Sequence, residues 1–199
     1  EPFSPAHWAA ILFTAAVVVA IVGFRARLRG VAADRAFRIG LAALLIGSEI
    51  SLYAWYTIEG MWGYFALPFQ LCTMMVWASA AMLLTKSRKL YEIAFFLGIL
   101  GALQALLTPN LEQTFPHFRY FHFFIAHAAI IGSSVYMTAA AGYRPTFRAM
   151  LRAFGWLNVF ALAASIVNWA TGENFMFLAR KPDILLTNYK MLDQLLLRH

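Results

Sequence analysis

Cys72 is the only cysteine in the chain. It lies in "ALPFQLCTMMVW", residues 66–77, with Pro68 four residues upstream and Gln70 two upstream. In an apolar run a cysteine commonly serves as a small hydrophobic filler. Proline, however, fits the first turn of a helix, where its missing N–H costs nothing. With Pro68 there, Cys72 falls at the end of the first turn, where a helix N-terminus favours the thiolate. The amides of Phe69, Gln70 and Leu71 would lack intrahelical partners and could bind an oxyanion. A thiolate beside such donors is equipped for acyl transfer, and it needs a base, usually histidine.

His117, His122 and His127 follow one another along "FPHFRYFHFFIAH", residues 115–127, with Arg119 among them. At about 1.5 Å per residue, Cys72 and His122 lie roughly 6–9 Å from the same end of their helices, and His127 roughly 15 Å. Depth thus favours His122. His127 is flanked by Ala126, Ala128 and Ala129, small residues that let a neighbouring helix approach closely. The two histidines are five apart, so they point about 140° from each other and cannot both face one site. Histidines that chelate from one helix sit three or four apart, so no metal site is expected. No phosphate loop or dinucleotide fingerprint is present, and no cofactor or nucleic-acid partner is expected.

These residues must be held by membrane helices. The 199 residues are 62% hydrophobic and 13% charged, far too apolar for a soluble domain of this size. Six runs approach the length of about 20 apolar residues that a span requires. They are 8–24, 37–56, 67–84, 90–107, 118–141 and 151–170. The first is read as a span rather than a signal peptide, because no basic segment precedes it. Strand-like alternation is absent, which leaves an all-α polytopic bundle. Residues 1–182 are expected to form one transmembrane domain, and 183–199 a polar or amphipathic tail. The loops after the first, third and fifth runs hold eleven of the sixteen Lys and Arg. The positive-inside rule therefore sets the N-terminus outside and those three loops in the cytoplasm. A cell membrane, in a bacterium the plasma membrane, is the expected location.

On that topology the polar residues within spans share the outer half. Glu49 lies past the middle of the second span, and Gln70 and Cys72 near the outer end of the third. Gln104 lies in the outer part of the fourth, Asn168 near the outer end of the sixth, and Asn174 just beyond it. Intramembrane polar groups are costly and mark function by default, although they also join helices to one another. The economical reading is a polar pocket open to the outer leaflet. Arg119, Arg180 and Lys181 are cations on the side otherwise poor in charge, suited to headgroup anchoring or to binding a lipid phosphate.

Several strings in this order resemble the YwaF-like family of bacterial integral membrane proteins. They are "GSEISLYAW" (47–55), "LPFQLC" (67–72), "LGILGALQALLTPNL" (97–111), "FPHFRYFHFFIAH" (115–127) and "NFMFLARKP" (174–182). The resemblance covers about residues 40–182. The family resembles eukaryotic membrane acyltransferases that remodel ether phospholipids through a Cys–His pair. More distantly it resembles androgen-induced membrane hydrolases, which use Thr–His. The resemblance implies Cys72 as nucleophile and His127 as base, in place of the His122 that depth favours. It also implies a seventh span after "RKP", where this chain turns polar, and a glutamine where His122 stands.

The expectation is a membrane enzyme that transfers an acyl group from a phospholipid through a thioester on Cys72. Gln70, Gln104, His122, Arg119, Asn168, Asn174, Arg180 and Glu49 are the candidates for binding substrate or the oxyanion. Water as acceptor would make the same site a lipid hydrolase. A lipid or small-solute transporter is the rival from another class, and it predicts helices broken in mid-span and internal repeats, neither of which the sequence contains.

Overall fold

Ser4 opens the first helix by accepting a hydrogen bond from the His7 amide, and Pro5 occupies its first turn. In the computed structural model, which describes residues 3–111 and 113–179, six helices are long and apolar enough to cross a membrane. They are α1 (Pro5–Gly23), α2 (Val31–Ile58), the span Tyr64–Thr85 whose regular part is α3 (Leu71–Thr85), α4 (Arg88–Leu107), α5 (Phe118–Ala139) and α6 (Phe147–Thr171). Ser87, His117 and Thr146 cap α4, α5 and α6 with their side chains. Gly172, at φ 77°, ends α6 in the left-handed conformation that glycine adopts freely.

The spans match the predicted apolar runs with two instructive differences. α2 begins at Val31, so Asp34 and Arg38 lie inside it rather than in a loop. α3 begins at Leu71, four residues later than the apolar run, because the chain first makes a 3₁₀ turn at Tyr64–Ala66 and then an extended segment. α4 carries a π-helical segment at Ala94–Gly98. There the helix passes the core of the bundle, and a Cβ on Gly98 would stand 3.0 Å from Ile130 Cγ2. Glycine is what lets α4 and α5 approach so closely.

α5 is the axis. Its most apolar window is 67% buried, against 22% for α1 and 11% for α6. α1, α2, α3 and α4 all pack on it, and α6 packs on α4. Met75, Met82, Leu83, Tyr91, Ile130 and Met137 are fully buried between them.

The two ends are built differently. At the basic end Asp34 accepts bonds from Arg38 Nε (3.1 Å), Lys86 Nζ (2.8 Å) and the Tyr136 hydroxyl (2.6 Å), joining α2, α5 and the α3–α4 loop. Arg29 reaches the Ala139 carbonyl, and the Tyr143 hydroxyl reaches the Lys86 carbonyl. Arg152 of α6 forks onto both oxygens of Glu92 at 2.8 and 2.7 Å. The three basic loops thus share one end of the bundle, as expected. At the other end the His7 ring bonds the Leu106 carbonyl at 2.7 Å, and the Tyr120 hydroxyl bonds the Ala6 carbonyl at 2.6 Å. These bonds tie α1 to α4 and α5 at the level where the candidate residues cluster.

Candidate functional site

The late start of α3 changes the local chemistry of Cys72. Leu67 is extended (φ −63°, ψ 143°), as the residue before a proline prefers to be. Pro68 therefore stands outside the helix, and Gln70 is the N-cap. Cys72 is the second residue of the helix rather than the end of its first turn. The first intrahelical bond runs from the Met74 amide to the Gln70 carbonyl (3.1 Å). The amides without an i−4 partner are consequently Leu71, Cys72 and Thr73. The expected donor at Phe69 is committed elsewhere, to the Leu67 carbonyl at 2.8 Å. Gln70 does not cap the helix with its side chain; its Oε1 accepts the Met176 amide at 3.1 Å. Cys72 itself is a free, partly buried thiol packed against the core.

Glu49 lies on α2, which packs against α3. Glu49 is 3% exposed, and its Oε2 has no hydrogen-bond partner among the described residues. Arg119 makes no ion pair among the described residues. Its guanidinium lies instead over the rings of Trp55 (5.6 Å) and Tyr56 (5.8 Å). A half-buried arginine held by aromatic faces keeps its hydrogen-bond donors available.

The two histidines differ in kind. His127 is 7% exposed, and its Nδ1 lies 2.6 Å from the Phe123 carbonyl. A carbonyl only accepts, so Nδ1 carries the proton, and Nε2 of the neutral ring is the free acceptor. Both nitrogens of His122 are buried without a hydrogen bond among the described residues, although the Ser48 backbone lies beside the ring. His122 lines a cavity of about 350 Å³ between α2 and α5, together with Ser48 and Ser51. No hydrogen bond joins Cys72 to either histidine among the described residues.

The remaining candidates separate. Asn168 is buried and pins Phe175 through two bonds, Nδ2 to its carbonyl (3.0 Å) and Oδ1 from its amide (2.7 Å). Phe175 is in turn buried against Phe69, just before α3. Asn168 and Gln70 therefore position the segment that follows α6 over the start of α3. Asn174 accepts the Ala179 amide at 3.0 Å. Gln104 is exposed on α4. Arg180, Lys181 and the tail at 183–199 lie outside the described residues. Among the described residues no three of His, Cys, Asp or Glu converge as a metal site would require.

The model of one family, the TMEM164 family, matches residues 2–193, nearly the whole chain. The chain belongs to the TMEM164 family. Neither the curated proteins nor the solved structures compared with it contain a match. TMEM164 membership agrees with the six spanning helices, and the chain is a multi-pass membrane protein.

In this TMEM164-family chain two residues that sequence reasoning passed over fasten the bundle, one at each end. His7 is 1% exposed and joins α1 to α4. Its signal was available in "SPAH", a capped helix start with a ring in the first turn. Asp34 was read as part of a loop, and only the tertiary fold brings Lys86 and Tyr136 to it.

Proposed function

We propose that the protein is a membrane-embedded acyl-transfer enzyme that acts on phospholipids through Cys72 and His127. The relation to YwaF-like proteins and to ether-phospholipid acyltransferases is part of the same proposal. The observation that carries it is the thiol in the first turn of α3, beside three amides with no helical partner. Arg119, stacked and without an ion pair among the described residues, supports it as a donor to the lipid phosphate.

The chemistry follows from these groups. His127 Nε2 accepts the Cys72 proton, and Nδ1–H stays on the Phe123 carbonyl, which keeps the ring in the accepting tautomer. The thiolate attacks the ester carbonyl of the phospholipid, forming a C–S bond. The oxyanion is held by the amides of α3 and by the positive end of its dipole. Collapse breaks the ester C–O bond, and the departing lysophospholipid oxygen takes the proton from His127. A thioester remains on Cys72. An acceptor lipid hydroxyl then gives its proton to His127 and attacks the thioester. Collapse returns the thiolate, which recovers the proton, and releases the new ester. Water in place of the hydroxyl would give hydrolysis, and the partly buried thiol in an apolar bundle favours transfer. A transporter reading would call for helices unwound in mid-span. Within the described spans the stretch Ala94–Gly98 remains helical, and the non-helical residues 67–70 of the third span lie near its end rather than at its middle.

The proposal places the basic end in the cytoplasm and the site toward the outer leaflet, in the plasma membrane of a bacterium. The test is acyl exchange between a labelled phospholipid and a lysophospholipid in vesicles carrying the purified protein. Cys72→Ala should abolish exchange while leaving expression and insertion unchanged. Wild-type exchange in that variant would refute the mechanism.

A further inference from the structure

α1 and α2 both pack on α5, with little contact between each other. The space between them is a cleft of about 540 Å³. Its walls include Val17 of α1, Phe24 just after it, and Phe37 and Leu44 of α2. Its floor is a stripe of small residues on α5, Ala128, Ala129 and Gly132. A Cβ on Gly132 would stand 3.3 Å from Ile21 Cδ1, so the missing side chain lets α1 sit down on α5 and shape the floor. His127 projects from roughly the opposite side of α5, and neither it nor Cys72 lines the cleft.

Length and volume restrict the occupant. From Phe13 to Phe24 the cleft follows α1 for about 16 Å at ~1.5 Å per residue. That is the depth of one leaflet, half of a hydrocarbon core about 30 Å thick. A cleft of that length and volume accommodates a single hydrocarbon chain. Charge restricts it too. Arg27 closes the basic end of the cleft, over the Phe24 ring at 5.5 Å. Arg25 and Arg29 beside it donate only to carbonyls, of Val22 and Ala139. Asp34, the nearest acid in sequence, is occupied by Arg38 and Lys86.

We infer that this cleft holds one acyl chain of an anionic phospholipid from the leaflet bordering the basic loops, with Arg27 on its phosphate. The site is separate from Cys72 and stands whether or not the protein transfers acyl groups.

The probe is phosphatidylglycerol with a diazirine near the end of one acyl chain, and phosphatidylcholine carrying the same chain is the control. Each is reconstituted with the full chain, photolysed, and its adducts mapped by peptide mass spectrometry. Phosphatidylglycerol adducts should concentrate on residues 13–24 and 37–44, at least fivefold over exposed α6 positions such as Leu162 and Trp169. Ala20→Trp, at an exposed cleft position, should reduce them at least fivefold by filling the space. Arg27→Gln should leave the space open and bring phosphatidylglycerol labelling down to that of phosphatidylcholine. Adducts spread evenly over α1, α2 and α6, or unchanged in Ala20→Trp, would refute a seated chain. Equal labelling by both lipids in the wild type would refute recognition by charge. Cross-links between two copies through α1 and α2 would make a second chain the occupant and overturn the proposal.

Discussion

His127 and His122 make the clearest contrast at the scale of single residues. The Phe123 carbonyl sets the tautomer of His127, and His122 makes no hydrogen bond among the described residues. His127→Ala should lower acyl exchange about 10²–10⁴-fold, the usual cost of losing a general base, and His122→Ala far less. A dead His122→Ala with an active His127→Ala would show that the base is the histidine at the depth of Cys72. Arg119 allows a second test. Its planar fork gives two parallel bonds to one phosphate, which a lysine cannot reproduce. Arg119→Gln should raise the apparent KM for phospholipid and leave labelling of Cys72 by a small uncharged thiol reagent unchanged. Unchanged KM would leave Arg119 as an interface anchor on Trp55 and Tyr56. At this scale the sequence was legible in part. The polarity of Glu49 and His127 within apolar runs marked them directly. The roles of Gln70 and Asn168 were not visible, because each depends on a chain segment distant in sequence, at Met176 and Phe175.

Individual helices show where periodicity stops informing. All six spans were legible because a membrane helix must be apolar for its whole length. The start of α3 was not, because the extended residues before it are as apolar as the helix and only Pro68 marks the change. That displacement moves the amides without helical partners by two residues, to Leu71, Cys72 and Thr73. The π-helical segment of α4 left no sequence signal beyond Gly98. Its close approach to Ile130 leaves no room for a larger residue. Gly98→Val should destabilise the protein by about 1–3 kcal/mol through overpacking. A thermal melt in detergent measures this, and an unchanged Tm would mean that α4 and α5 separate freely. His7→Ala should cost about 1–3 kcal/mol by leaving the Leu106 carbonyl without its partner.

Across the whole bundle, the basic end fastens the helices and the opposite end carries the candidate chemistry. Asp34 gathers Arg38, Lys86 and Tyr136 from three parts of the chain. Asp34→Asn should lower stability by about 2 kcal/mol, since bonds to a charged group contribute about 1.5–3 kcal/mol. Its effect on Cys72 labelling should be small, because the site lies at the other end. A large loss of labelling would mean that the two ends are coupled. The central claim is that Cys72 carries the acyl group, and it is tested most directly by intact-protein mass spectrometry after mixing with phospholipid in the absence of acceptor. A thioester on Cys72, released by neutral hydroxylamine and absent from Cys72→Ala, is the expected result. Acyl exchange that proceeds with no adduct on Cys72, or persists in Cys72→Ala, would contradict the mechanism.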